Sequence, residues 1–148
     1  MKLPVTRYLP YILVGLAVAS ALGVAYTTVI LPSSSLTTPK VTWTTSPLTI
    51  SFAATDGSGV ATDTFSCNPG AGAITLRTIS NSPGIIELTV IPVNFSNCAT
   101  SLLQVTVEAT CNVAASQCKG SYTGLVQVRQ PVNYRDLAAN LQVNIIAG

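Results

Sequence analysis

The sequence predicts an all-β domain, an antiparallel β-sandwich, preceded by an apolar helix at the N-terminus. Two observations predict the sandwich: apolar and polar residues alternate from Val41 onward, and clusters of turn-forming residues separate the alternating runs. A third observation, the uncharged stretch Tyr11–Leu31, predicts the helix. We therefore divide the chain into residues 1–31 (signal peptide or transmembrane helix), 32–40 (linker) and 41–148 (sandwich domain).

The clearest predicted strand has one apolar and one polar face. Its apolar face is Leu103, Val105, Val107, Ala109 and Cys111, and polar residues occupy the positions between them. Similar runs begin at Leu48, Ile86, Tyr122 and Leu141, and the turn clusters are Asp56–Gly59, Asn68–Gly70 and Asn81–Gly84. About seven or eight short strands of this kind predict a single sandwich of immunoglobulin (Ig) type. No stretch after Leu31 has a helical period.

The N-terminal stretch Tyr11–Leu31 predicts export. It follows Lys2 and Arg7 and is long enough to cross a bilayer as a helix. It also has the features of a signal peptide, with small residues at two candidate cleavage sites, Ala19-Ser20-Ala21 and Gly23-Val24-Ala25. Under either alternative the basic end stays inside and the rest of the chain lies outside. We therefore expect an extracellular or cell-surface protein, with cleavage left open.

The segment that ends the apolar stretch has two interpretations. It is mostly β-branched and is either the end of a helix or a strand: Tyr26, Thr27, Thr28, Val29, Ile30 and Leu31. The linker that follows, residues 32–40, contains two prolines and small hydroxyl residues without periodicity.

The chain carries very little charge. Charged residues make up 8% of it, against roughly 25% in ordinary soluble domains. Because repulsion between like charges keeps molecules apart, this composition favours self-association, and the alternative is a hydroxyl-rich or glycosylated surface. No basic stripe is present that could neutralise phosphates, so we expect no nucleic-acid partner.

The four cysteines predict two structural disulfides. They all follow the apolar stretch, no CxxC pair occurs, and the chain has no histidine with which to form the usual zinc sites. Outside the cytoplasm two disulfides are expected, with three possible connectivities. The short spacing favours Cys111–Cys118, which leaves Cys67–Cys98.

Two motifs resemble a known family. The run from Trp43 to Val60 (WTTSPLTISFAATDGSGV) resembles the opening of Ig-like domains of prokaryotic surface proteins. The run from Tyr134 to Asn140 (YRDLAAN) resembles their closing Tyr-x-x-Asp-x-Ala-Gly-Asn turn. Ala139 stands where the family usually has glycine, which predicts a less tight turn or a different φ. The resemblance covers about residues 43–147 and implies a noncatalytic spacer, adhesive module or assembly unit.

Few residues suggest chemistry. Asp56 and Asp136 are expected to cap turns. The alternative for Asp56 is a weak Ca²⁺ site with Ser58 and Asp63, but three ligands from one loop are too few to define such a site. Without histidine, a serine or cysteine nucleophile lacks its commonest base, and no glycine-rich phosphate loop precedes a helix. We therefore expect no enzyme, no cofactor and no small-molecule substrate. The Asn94-Phe95-Ser96 triplet is an N-glycosylation acceptor, expected in a loop between strands.

Three functional hypotheses follow from these features. The first is a filament subunit: cleavage after Ala25 would free Tyr26–Leu31 to add as a strand to the next subunit, similar to donor-strand pili and archaeal surface threads. The second is a surface or envelope protein that mediates adhesion or attachment and is anchored in the membrane by an uncleaved Tyr11–Leu31. The third is an enzyme or a calcium-dependent binding module. The low charge and the strand-like Tyr26–Leu31 favour the first, with a second copy of the chain as partner.

Overall fold

A computed structural model describes residues 38–132 and 135–148 of the chain. This part contains ten β-strands, one single-turn helix, α1 (Ala115–Cys118), and one 3-10 turn (Ala54–Asp56). The strands are β1 (Lys40–Trp43), β2 (Leu48–Phe52), β3 (Ser58–Asn68), β4 (Gly72–Ser80), β5 (Ile86–Ile91), β6 (Asn94–Cys98), β7 (Leu103–Cys111), β8 (Gly120–Gln130), β9 (Arg135–Asp136) and β10 (Leu141–Ala147).

The strands form two sheets that pack face to face. The first sheet has the order β1-β3-β7-β5, and the second has the order β2-β10-β8-β4-β6, with β9 paired to β8. The all-β sandwich predicted from the alternation is thus confirmed. The predicted strand number was too low, and the sheets are not purely antiparallel, because β2 runs parallel to β10.

Consecutive strands from β1 to β8 alternate between the two sheets, and two of these changes of sheet connect one edge strand to another. The first passes from β1 in the first sheet to β2 in the second, with Pro47 directly before β2. The second passes from β5 in the first sheet to β6 in the second, through Pro92. Proline has no backbone N–H for a ladder hydrogen bond, so it marks a point where pairing with one sheet ends. As a result, β1 and β2 are the edge strands of the two sheets on one side of the sandwich, and β5 and β6 are the edge strands on the other side.

The core lies between the sheets and is built from the apolar residues of the alternating strands. Its aromatic centre is Phe65, whose ring centroid lies 4.7 Å from that of Trp43 and 5.5 Å from that of Phe95. The sheets approach each other closely at Gly124 on β8. A Cβ placed there would lie 2.8 Å from the carbonyl oxygen of Ile79 and would overlap the side chain of Leu88. Only glycine fits at this position without a shift of its neighbours.

Two disulfides hold the domain together. Cys67–Cys98 joins β3 of the first sheet to β6 of the second, and Cys111–Cys118 joins the end of β7 to α1. This is the connectivity that the sequence spacing favours. Disulfides of this kind are typical of exported proteins, because the cytoplasm keeps thiols reduced.

The predictions for the N-terminal segment lie outside the described residues. They are the helix over Tyr11–Leu31, its two cleavage sites and the donor strand Tyr26–Leu31. Within residues 38–132 and 135–148, no helix is long and apolar enough to cross a membrane.

Candidate functional site

The structure separates the residues of the weak calcium candidate. Asp56 is exposed in the 3-10 turn, Ser58 begins β3, and Asp63 lies five positions further along the same strand. A strand rises about 3.3 Å per residue, so Ser58 and Asp63 are about 16 Å apart, too far for one ion to contact both. In the described part of the chain, no three His, Cys, Asp or Glu residues come together as a metal site.

Asp63 has a structural contact that the sequence did not predict. Its side chain is only 5% exposed and points into the sandwich, although aspartate on a strand is usually on the solvent face. Its two carboxylate oxygens accept from the backbone N–H of Thr45 at 3.1 and 3.3 Å. Asp63 therefore holds the segment between β1 and β2 against β3.

Asp136 forms an ion pair on the outer face of the second sheet. Arg129 Nε donates to Asp136 Oδ1 at 2.7 Å and Arg129 Nη2 donates to Oδ2 at 3.3 Å. The hydrogen bond from Arg129 lowers the pKa of Asp136 below its ordinary value, with a smaller contribution from the charge of Arg77. The same bond raises the pKa of Arg129. The carboxylate thus joins β9 to β8, whereas the sequence predicted a turn cap.

Asn94 lies on a strand, and its predicted position in a loop is wrong. It is the first residue of the edge strand β6, is exposed, and pairs with Thr75, whose Oγ1 donates to Asn94 Oδ1 at 2.9 Å. Alternation did not reveal this strand, because a register shift opposite β4 turns both Phe95 and Cys98 inward although they are three residues apart.

The opening and closing motifs of the resemblance meet in the structure. Trp43 Nε1 donates to the carbonyl oxygen of Ala139 at 2.8 Å. Ala139 has φ +71°, in the left-handed region that favours glycine. The alanine thus adopts a conformation that glycine takes more readily, at the position where the resemblance has glycine.

Besides the two-residue β9, four strands have one unpaired side within the described residues. They are β1 and β5 in the first sheet, and β2 and β6 in the second. An edge strand presents backbone N–H and C=O groups that can pair with another chain, so these edges are the candidate binding surfaces of the domain.

The β5 edge borders an open slot. β4 pairs with β6 up to Thr75, and the N–H of Leu76 donates to the carbonyl oxygen of Val93 just before β6 at 2.7 Å. Residues 77–80 of β4 have no partner on this side, and Thr78 contacts β5 of the other sheet. The space between β4 and β5 has a volume of about 380 Å³, and it is lined by Leu76, Arg77, Thr78, Glu87, Leu88, Thr89, Val90 and Val93. Sequence reasoning missed this slot. The only local signal is the run Val90-Ile91-Pro92-Val93, in which four apolar residues follow one another instead of alternating with polar residues.

Comparisons with known proteins identify the fold. No protein-family model matches the chain, and the search of curated proteins found no match. PapD-like domain 7 of human CEP192 is similar, with a TM-score of 0.52 at 10% identity, over 80% of this chain and 92% of that one.

Two bacterial structures are also similar. The CooA pilin subunit of enterotoxigenic Escherichia coli has a TM-score of 0.47 at 9% identity, over 75% of this chain and 99% of that one. A FixG-related protein from Vibrio parahaemolyticus has a TM-score of 0.45 at 9% identity, over 74% of this chain and 94% of that one. Likeness at such identities bears on the fold alone, and we draw nothing further from these two. The described domain is an Ig-like, PapD-like β-sandwich.

Proposed function

We propose that this chain is a non-enzymatic extracellular structural protein, a subunit of a cell-surface filament that assembles by donation of an N-terminal strand. The observation that supports this proposal most is a complete sandwich with open edges. β10 lies between β2 and β8, and its inward residues Leu141, Val143 and Ile145 are fully buried. The domain therefore needs no partner strand to complete its core, and a partner strand would add to an edge.

The proposed donor is Tyr26–Leu31. Five of its six residues are β-branched or aromatic, which suits an extended strand, and cleavage after Ala21 or Ala25 would leave it near the new N-terminus. A strand on one subunit that binds an edge on the next makes a heterologous contact, and such contacts propagate as open fibres. The low charge of the chain offers little repulsion against this association.

The absence of enzymatic activity is part of the same proposal. The acidic residues are spread over the domain: Asp63 accepts from a backbone N–H, Asp136 is paired with Arg129, and Asp56 is in a turn. Glu87 and Glu108 lie on the outer face of the first sheet. Glu87 and Glu108 are diagonal neighbours across the β5–β7 ladder, on a flat outer sheet face, and no third His, Cys, Asp or Glu joins them in the described residues.

Deletion of Tyr26–Leu31 from the full chain tests the proposal. We expect the exported product to remain folded and become monomeric by light scattering and electron microscopy, while the unmodified chain forms filaments. A more specific test compares two single variants: Val29→Pro in the donor strand and, as its control, Ser34→Pro in the linker. Proline removes a backbone N–H that a paired strand needs, so only the first variant should lose assembly. Filaments from the deletion variant would show that donation of this strand is not the mechanism.

A membrane-anchored surface or envelope protein that mediates adhesion or attachment is the second candidate. The length and lack of charge of Tyr11–Leu31 favour it. In this case Tyr26–Leu31 would stay in the apolar segment and could not donate. Extraction separates the two candidates, since an anchored chain needs detergent and a cleaved one does not.

A further inference from the structure

We propose that the acceptor for this strand is the open edge of β5, and that its occupant is Tyr26–Leu31 of a second copy of the chain. This inference rests on the proposed function and adds to it the surface at which one subunit binds the next.

The other three edges are less suited to a six-residue strand. β1 has four residues and begins with Lys40, a charge typical of protected edges. β2 has five residues and is preceded directly by Pro47. β6 has five residues, an irregular register with β4, and the Asn94 acceptor triplet, where a glycan would obstruct pairing. β5 carries Glu87 and is followed directly by Pro92, so charge and proline do not set it apart; what does is its length of six residues and its unbroken register with β7.

The backbone of β5 directs hydrogen-bonding groups to its open side. The carbonyl oxygen of Leu88 accepts from Thr78 Oγ1 of β4 at 2.7 Å, so it points away from β7. In an antiparallel ladder, the N–H and C=O of one residue point to the same side, and this side alternates along the strand. The backbone groups of Leu88 and Val90 therefore face the open edge. An added strand can pair with the N–H of Leu88 and with both groups of Val90, and it would share the Leu88 carbonyl oxygen with Thr78 Oγ1.

Apolar surface lies beside these groups. Ile91 is 63% exposed and Val93 is 45% exposed, at the end of β5 and on the lining of the slot. An exposed apolar edge strand is a pairing site for another chain. An added strand would cover both residues, and either face of the donor supplies apolar side chains: Tyr26 and Ile30 on one, Val29 and Leu31 on the other.

The linker is too short for the chain to bind its own β5 edge. β1 and β5 are three strand spacings apart, about 14 Å. Along the strand direction, Ile91 is at the height of Thr62 on β3, because both pair with Thr106 of β7. Thr38 lies two residues beyond Lys40, which pairs with Asn68 of β3. The axial separation of Ile91 and Thr38 is therefore about eight residues, or about 26 Å. Thr38 and Ile91 are thus about 30 Å apart, and the seven residues from Leu31 to Thr38 span at most roughly 25 Å. The occupant is therefore a second copy.

Two matched double variants of the full chain test the acceptor. The first, Ile91→Lys with Val93→Lys, places charges at the β5 edge and the slot. The control, Val60→Lys with Ile146→Lys, adds the same charges on β3 and β10, at positions that are 64% and 47% exposed. We expect the first double variant to raise the critical concentration for filament formation at least tenfold and the control to leave it within twofold, with both melting like the unmodified protein.

The outcomes separate this inference from the proposed function. If both double variants assemble equally well, the assignment of β5 is overturned. If both lose assembly equally, it is also overturned, because added charge alone would then explain the loss. If this occurs while the Tyr26–Leu31 deletion is monomeric, strand donation stands and the acceptor lies elsewhere. If the deletion variant still polymerises, the proposed function itself fails.

Discussion

The indole N–H of Trp43 donates to the carbonyl oxygen of Ala139 at 2.8 Å, across 96 positions of sequence. This bond joins the end of β1 to the turn that precedes β10, so it links the first and last parts of the domain. Trp43 is almost fully buried and packs on Phe65. A buried indole N–H needs an acceptor, and the left-handed conformation of Ala139 belongs to the turn that supplies it.

Ala139→Gly should stabilise the domain. A left-handed φ costs an L-residue about 1–2 kcal/mol, and glycine offsets part of this gain because its unfolded chain has more freedom. We expect an increase of about 0.5–1 kcal/mol in the free energy of unfolding, measured by denaturant titration. The neighbouring Ala138→Gly is the control: Ala138 has no positive φ, so this change should leave stability unchanged or lower it. Equal effects of both changes would contradict the account of the turn.

Gly124→Ala should destabilise the domain by about 1–3 kcal/mol, because the added methyl group overpacks the contact between the two sheets. The new Cβ would meet the Leu88 side chain and the carbonyl oxygen of Ile79. Gly84→Ala is the matched control, since nothing lies within 4 Å of a Cβ there and the position has no positive φ. Thermal unfolding of the two variants should differ clearly, and a neutral Gly124→Ala would show that the sheets are further apart than described.

The two disulfides should contribute unequally to stability. Their cysteines are separated by 31 and 7 residues. In the chain-entropy description, closing these loops restricts the unfolded state by about 3.7 and about 2.4 kcal/mol. The double change Cys67→Ala with Cys98→Ala should therefore cost more than Cys111→Ala with Cys118→Ala, measured as the free energy of unfolding without reductant. The reverse order would mean that packing around α1 outweighs loop length.

The Arg129–Asp136 pair should make stability depend on acid pH. Because the pKa of Asp136 is lowered in the folded state, its contribution is complete above the unfolded pKa, near 3.9, and is lost as pH falls through the folded value. Asp136→Asn and Arg129→Gln should each flatten the acid side of the stability profile, and the double variant should resemble either single one. Additive effects would show that the two side chains act independently.

The sequence predicted the strands whose two faces differ. Leu103–Cys111 and Leu141–Ala147 are β7 and β10 with the bounds that their alternation indicated. Such strands have one buried and one solvated face, so composition alone reveals them. β6 was missed because a register shift breaks its alternation, and β9 because two residues carry no period.

Contacts between distant residues were beyond the sequence. The inward position of Asp63 depends on the N–H of Thr45, which lies 18 positions earlier. The parallel pairing of β2 with β10 depends on the change of sheet after β1. The β5 slot exists because β6 pairs with only part of β4. Each of these features is fixed by packing between separate segments, and no local pattern encodes it.

The most direct test of the central claim is the intact mass and N-terminal sequence of native, non-reduced protein. Strand donation predicts a chain that has lost its first 21 or 25 residues, so that Tyr26–Leu31 is retained near a free N-terminus, with a mass four hydrogens lower for the two disulfides. A chain that still begins at Met1 or Lys2 would keep Tyr11–Leu31 intact as an apolar segment. That result would contradict the strand-donating filament and favour the anchored surface protein.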